Sequence, residues 1–435
     1  MIRVLAAFAF LIAALPARAV DIKEVTSPGG IDAWLVEEHS IPFAALEIRF
    51  QGGTSLDAPG KRGAVNLMTA LIEEGAGDMD AQAFAKARDA LAASFEFDVW
   101  DDSMVVSAKF LTENRDEAVS LLKTALTEPR FDADAIERVR AQVLSIIQSG
   151  AKDPNHIAGE TFSRLAYGEH PYGTDRNGTI ESVTALTRED IVAAHRDVLA
   201  RDRLFVSAVG DITAEELGAL LDRLLGELPE TGAPMPERAD FALSPGVTVV
   251  DFDNPQSVVL FGHEGIKRDD PDFFAAYVMN HILGGGGFAS RLMEEVREKR
   301  GLTYGISTFL VPMDLAEVYQ GAFASSNDRV AEAIEVVRAE WQRMATEGVT
   351  EAELEAAKTY LTGSYPLRFD GNGPIANILV GMQMEGLPID YVNTRNAQVE
   401  AVTLDDVKRV AARVMKPEAL QFVVVGRPEG LKPAN

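Results

Sequence analysis

Two stretches 216 positions apart decide the fold: Val183-Thr184-Ala185-Leu186-Thr187-Arg188-Glu189-Asp190-Ile191 and Val399-Glu400-Ala401-Val402-Thr403-Leu404-Asp405-Asp406-Val407. Each opens with a threonine followed three residues later by an aspartate, which is a helix-start signal in which side chain and backbone satisfy one another. Each then runs without a gap to a glycine, and along the way Ile191 matches Val407, Val198 matches Val414, Leu204 matches Leu420 and Gly210 matches Gly426. In both copies a capped helix leads through a turn into an apolar, buried-type strand. The alternative, two unrelated helix–strand units, requires six coincidences of role in register. We therefore read a duplicated α+β domain.

Outward from these copies, the chain divides in two. Its 435 residues exceed what one hydrophobic core usually serves. Residues 31–50 and 95–110 alternate as strands do, 63–74 has the apolar spacing of an amphipathic helix, and helices are predicted near 114–128, 133–150, 156–167 and 188–200. Leu228 to Pro245 carries Pro229, Pro234, Pro236 and Pro245 with no hydrophobic period, the composition of a linker. This gives an N-terminal domain over 20–228, a linker over 229–245 and a C-terminal domain over 246–435.

A formal charge of −26 argues against nucleic acid or an anionic membrane as partner, because repulsion opposes both encounters. Residues 1–19 differ from the rest: Arg3, an apolar run from Val4 to Leu15, then Ala17-Arg18-Ala19. The run is shorter than the ~20 residues that span a bilayer, so we read a secretory signal cleaved after Ala19. Its loss removes Arg3 and Arg18 and takes the charge from −26 to −28. The mature chain is expected to be exported and soluble, most simply in a periplasm. With no cysteine, disulfides and thiol catalysis are excluded.

The segment Ser290 to Ser307 carries the candidate chemistry. It follows the glycines Gly284, Gly285, Gly286 and Gly287, places Leu292, Met293 and Val296 on one helical face, and stops at Gly301. Arg297 precedes the stop and Tyr304 follows it. On the residues alone, Arg297 among Glu294, Glu295 and Glu298 also suits a surface helix with ion pairs, and Tyr304 suits a half-buried strand position.

Taken together the motifs resemble the M16 peptidase family, also called insulinase or pitrilysin, in its short two-domain form. The resemblance rests on Gly52-Gly53-Thr54-Ser55, Gly60-Lys61-Arg62-Gly63-Ala64, His170-Pro171-Tyr172-Gly173, Leu283 to Leu292, and Val296 to Tyr304. It implies two antiparallel-rich sheets, each with helices packed on one face, forming half of a clam-like chamber. Active members carry an inverted zinc motif, His-x-x-Glu-His, on the helix after the Gly-x-Ala element, and a third ligand downstream. The positions that correspond here hold Asn66 and Ala70 for the two histidines, Thr69 for the general base and Ile146 for the downstream glutamate. Independently of the resemblance, the closest pair among His39, His156, His170, His195, His263 and His281 is His156 and His170, so no two histidines sit one helical turn apart.

The resemblance assigns the family's other pair of active-site residues to Arg297 and Tyr304, which face the zinc of a partner. A tyrosine hydroxyl donates to a scissile carbonyl oxygen as charge develops. An arginine fork holds a carbonyl or carboxylate. The expected protein is a non-catalytic subunit that completes a metallopeptidase with a zinc-bearing homologue, with no cofactor of its own, zinc in the partner and a peptide or small unfolded protein as substrate. Phe95, Phe97 and Val99, on the strand where the family pairs with substrate backbone, and the four glycines are the candidate substrate-binding residues. The glycines also suit a tight link between helices, and Glu96 and Asp98 suit a protected sheet edge. The alternatives are a non-enzymatic binding or scaffold protein that keeps the fold, and a peptidase with an unrelated metal site.

Overall fold

A computed structural model describes residues 21–431 of the chain; the predicted signal segment lies outside them. The first half contains strands β1 (Lys23–Thr26), β2 (Asp32–Glu37), β3 (Phe43–Gln51), the two-residue pair β4 (Gly75–Ala76) and β5 (Met79–Asp80), then β6 (Ser94–Val99), β7 (Ser103–Leu111) and β8 (Leu204–Gly210). The second half contains β9 (Gly246–Asp251), β10 (Gln256–Glu264), β11 (Ile306–Pro312), β12 (Glu317–Ser326) and β13 (Gln421–Gly426).

The first sheet runs β1-β2-β8-β3-β7-β6 and the second, read from its other edge, β9-β13-β10-β12-β11. Within each, one pair is parallel, β2 with β8 and β9 with β13, and the remaining pairs are antiparallel. The two sheets are thus the same arrangement, with β1 added at one edge of the first. The repeated segments supply matching parts. Helices Arg188–Val198 and Leu404–Val414 both start from a complete capping box, Thr187 with Asp190 and Thr403 with Asp406. They lead to β8 and β13, each beside its sheet's parallel partner. Thr and Asp together satisfy backbone donors at the helix start that would otherwise be left without partners.

Alternation along the strands sorts the two faces. On β3, Ala44, Leu46, Ile48 and Phe50 join the main core of the first half, together with Leu67, Met68 and Val206. The second core gathers Phe261, Tyr319, Trp341 and Phe422 against helices of its own half. Burial of each large apolar side chain contributes on the order of 1.5–3 kcal/mol, so these cores hold each half together.

The opposite face of each sheet is covered from across the molecule. Helix Pro154–Tyr167, from the first half, lays Ala158, Phe162 and Ala166 on Val318, Val423 and Val425 of the second sheet. Gly262 of β10 has no side chain to keep Phe162 away. In return, helix Asn372–Met384 sets Ala376, Leu379 and Met382 on Ala45 and Val209 of the first sheet. Polar ties seal this contact: the Ser207 hydroxyl donates to the Ala376 carbonyl at 2.6 Å, Gln383 to the Val206 carbonyl at 2.8 Å, and Arg49 to Asn377 at 2.7 Å. The halves therefore exchange a helix each. Helices on one face are what the resemblance implies; the cover on the other face needs tertiary contacts that periodicity does not carry.

The proline-rich segment between the halves has no helix or strand from Glu230 to Pro245. It is nevertheless docked. Phe241 packs edge-on against Tyr167 at 5.9 Å, and the Ala242 amide donates to the Ala166 carbonyl at 2.8 Å.

Candidate functional site

The segment from Ser290 to Ser307 folds around buried Leu292, Met293 and Val296. Over Met293–Glu298 the backbone takes the wider π-helical turn, with the Lys299 amide donating to the Glu294 carbonyl at 2.9 Å. Such turns are uncommon and recur at functional sites. The helix closes at Gly301, φ +59°, a left-handed conformation that a glycine adopts without steric cost. The Gly301 amide donates to the Arg297 carbonyl at 2.8 Å and the Leu302 amide to the Val296 carbonyl at 2.9 Å.

The next residues are pinned to β12. The Thr303 hydroxyl donates to the Ala324 carbonyl at 2.7 Å, and the Ser325 hydroxyl to the Leu302 carbonyl at 2.6 Å. Between these anchors Tyr304 is 86% exposed. It is not the half-buried strand residue that alternation alone allows, because β11 begins two positions later, at Ile306. An exposed ring on an anchored backbone costs little further ordering when a ligand meets it.

Arg297 and Tyr304 line one depression of about 460 Å³, with Gln256, Glu298, Ser326 and Arg329 among its other walls. The ion pairs expected on this helix are present, but largely on other residues. Lys299 and Arg300 hold Glu295 at 2.6 and 2.7 Å, and their hydrogen bonds keep its carboxyl below the usual range. Arg297 pairs with the neighbouring Glu298 and stands over the Phe288 ring, with its guanidinium carbon 4.8 Å from the ring centre. Sequence reading did not single out Phe288, Gln256 or Arg329. The position of Phe288 directly after the glycine run is the one signal that was available for it.

The glycines have local reasons. A Cβ on Gly284 would stand 2.4 Å from the Thr308 hydroxyl oxygen, and Gly287 adopts φ +56°. The run closes a helix end onto β11, which is the structural reading of those positions. The other candidate substrate residues lie on one strand. β6 is an edge strand, but Phe95, Phe97 and Val99 turn toward the first core, because side chains alternate along a strand. Ser94, Glu96 and Asp98 are the exposed residues there. A peptide pairing with β6 would meet its backbone and these carboxylates, not the aromatic rings.

The helix that the resemblance assigns to the metal spans Ala64–Leu71. Asp57 accepts from the Gly63 and Val65 amides at 2.8 Å each, fixing its start, and burial pushes the Asp57 carboxyl up to about 6. On this helix Thr69 is buried and donates to the Val65 carbonyl at 2.8 Å. Asn66 donates to Asn177 at 3.2 Å, and Ala70 is exposed. Ile146, on the neighbouring helix Ala133–Gly150, is 54% exposed. A methyl, an alkyl chain, an amide and a self-bonded hydroxyl do not make a zinc donor set, so these residues do not fit the metal. Among the described residues no group of three or more His, Asp or Glu side chains is disposed to hold a metal ion.

Comparison with known proteins bears on the whole chain. Residues 34–179 match the model for "Insulinase (Peptidase family M16)", and residues 185–361 the model for "Peptidase M16 inactive domain". The chain is similar to a Helicobacter pylori protein called non-peptidase homolog YmxG, 26% identical over 89% of this chain and 90% of that one. It is also similar to a probable mitochondrial-processing peptidase subunit beta of Schizosaccharomyces pombe, 26% identical over 73% of this chain and 72% of that one. A crystal structure of a peptidase M16 inactive domain from Pseudomonas fluorescens superposes with a TM-score of 0.89 at 27% identity, covering 95% of this chain and all of that one.

Proposed function

Since the chain belongs to peptidase family M16, we propose that it is a non-catalytic subunit of an exported heterodimeric zinc peptidase. It presents Arg297 and Tyr304 to peptide held at the metal site of a zinc-bearing homologue. The observation that carries this reading is the contrast between two places in one chain. The family's metal positions hold Asn66, Thr69, Ala70 and Ile146, whereas Arg297 and Tyr304 share an open pocket, with Tyr304 held out on an anchored turn.

In this arrangement the Tyr304 hydroxyl donates a hydrogen bond to the carbonyl oxygen of the scissile peptide as negative charge gathers there. The Arg297 fork holds a neighbouring carbonyl or carboxylate and fixes the peptide's register. Neither group transfers a proton in this scheme; both position substrate and stabilise charge. Metal and water activation belong to the partner. The S. pombe relative is called a subunit of a peptidase, which fits a role within an assembly. Among the described residues no helix is long and apolar enough to cross a membrane, and export rests on the segment 1–19.

The test is reconstitution. The purified chain is expected to bind no stoichiometric zinc and to cleave no peptide, and mixing with a His-x-x-Glu-His homologue is expected to produce cleavage. A second reading, a non-enzymatic binding protein, draws support from the relative called a non-peptidase homolog. Absence of cleavage with every co-purifying homologue would favour it, and zinc on the isolated chain would favour an unrelated metal site.

A further inference from the structure

Away from Arg297 and Tyr304, the second half holds a separate cavity of about 390 Å³. Its walls come from helix Phe273–Asn280, strand β11, the turn Tyr365–Arg368, helix Asn372–Met384 and helix Tyr391–Ala401. Aromatic rings and three guanidinium groups, those of Arg268, Arg368 and Arg395, face one another across it.

Two of these cations, Arg268 and Arg395, are held by rings and not by acids. The Arg268 guanidinium carbon lies 4.3 Å from the centre of Phe273, and its Nη2 donates to the Tyr391 hydroxyl at 3.0 Å. Arg395 stands 4.5 Å from the centre of Tyr365 and 5.5 Å from that of Tyr277. It donates to the Leu361 carbonyl at 2.6 Å, to Asn396 at 2.9 Å and to the Tyr277 hydroxyl at 3.3 Å. Arg395 is 4% exposed. Among the described residues none of the three arginines has a carboxylate at ion-pair distance. Glu385 feels the charge of Arg268 without pairing with it, and burial pushes its carboxyl up. In a chain with 67 acidic against 41 basic residues, three arginines without an ion-pair partner gather around one cavity. Arg395 is buried, Arg268 half-buried and Arg368 exposed. A buried cation costs free energy unless an anion compensates it, ring faces offset only part of that cost, and the two more accessible guanidiniums are the ones an entering anion meets.

We propose that this cavity binds a carboxylate carried on an apolar or aromatic body, foremost the C-terminal residue of a peptide. Arg268 and Arg368 take the carboxylate in the planar fork geometry that guanidinium groups favour. The rings of Phe273, Tyr277 and Tyr365 take the side chain. The volume falls within the range of small-ligand sites. β11, an edge strand that lines the cavity through Phe309 and Leu310, leaves backbone groups free for the preceding residues. The peptide as source rests on the proposed function; the anion-and-ring chemistry does not.

The experiment is calorimetric titration of the full chain, alone and without zinc, so its outcome is independent of any partner. The probes are N-acetyl-phenylalanine, its amide, and a hexapeptide ending in phenylalanine with a free or an amidated C-terminus. Each free acid is expected to bind at least ten-fold more tightly than its amide, with the hexapeptide acid tightest. Arg368→Gln, at an exposed position, is expected to cut the preference for acid to less than three-fold without lowering the melting temperature, and Arg268→Gln to cut it equally with a small loss of melting temperature from its Phe273 and Tyr391 contacts. Equal affinity for acid and amide, no binding at all, or an acid preference intact in both variants overturns the proposal. Equal affinity for the small acid and the hexapeptide acid keeps the site and overturns the peptide as its source.

Discussion

The Arg297 guanidinium carbon stands 4.8 Å from the centre of the Phe288 ring, so the residue that follows the glycine run steadies the arginine assigned to substrate. Phe288 is 74% exposed and contributes little to the core. Phe288→Ala is expected to leave the melting temperature within about a degree of the original. A cation–π contact of this exposed kind is worth ~0.5–1 kcal/mol. In the reconstituted enzyme the variant should therefore raise KM about two- to five-fold with little change in kcat, as steady-state kinetics would show. An unchanged KM would detach Phe288 from substrate binding.

The same segment is fastened to the rest of its half by an ion pair. Arg291, 7% exposed, donates twice to Glu353, at 2.5 and 2.7 Å. Burial works to raise the Glu353 carboxyl, but the Arg291 hydrogen bonds and the helix cap at Thr350 outweigh it and bring it to about 2. Removing the buried arginine leaves a partly exposed carboxylate, 29% open and still bonded at the Thr350 cap. Arg291→Met is expected to lose about 1.5–3 kcal/mol in urea denaturation, and Arg291→Met with Glu353→Met to recover part of it.

The halves also meet at a titratable junction. The Tyr172 hydroxyl donates to Asp102, the Asp314 amide donates to the same carboxylate at 3.3 Å, and Gln51 reaches Asp314 at 2.7 Å. Burial pushes the Asp102 carboxyl up to about 6 from its ordinary 3.8. The folded chain thus holds this proton more tightly than the unfolded chain does. The resulting stability is fully present below pH 3.8 and is lost as pH rises through 6. Asp102→Asn removes this contribution. The stability of the original relative to the variant is then expected to be about 2 kcal/mol more favourable at pH ~4.5 than at pH ~7. Denaturation at the two pH values measures it, and an equal difference at both would contradict the assignment.

Helix exchange predicts that the second half does not stand by itself. Without helix Pro154–Tyr167, the face bearing Val318, Val423 and Val425 is uncovered. An exposed apolar sheet face of that kind favours association. Residues 246–435 expressed alone are expected to bind a hydrophobic dye and elute as aggregates in size-exclusion chromatography, and supplying residues 20–245 is expected to reverse both.

Much of the fold is legible in the sequence. The Thr187–Asp190 and Thr403–Asp406 boxes and the matched glycines Gly210 and Gly426 locate the same helix–strand unit in both sheets, because capping and burial act within a few residues of sequence. Histidine spacing alone shows that no local two-histidine metal site is available. The exchanged helices were not readable, since Phe162 and Leu379 bury against strands of the opposite half and carry no local mark of it. The alternation of Phe95, Phe97 and Val99 with Glu96 and Asp98 already points the apolar side chains inward and leaves the backbone of this edge strand as the part open to a peptide. The arginines of the aromatic cavity carry no sequence signal, because Arg268, Arg368 and Arg395 are far apart along the chain and are gathered only by packing.

The most direct test of the account is peptide cleavage by this chain mixed with a His-x-x-Glu-His homologue, using the original sequence and Tyr304→Phe. The account predicts no cleavage by the chain alone and maximal cleavage near equimolar mixing. It predicts a loss of turnover of about 10²–10³-fold in the variant, with the dimer intact by size-exclusion chromatography. Unchanged turnover with Phe at position 304 would contradict the claim that this chain completes the partner's active site.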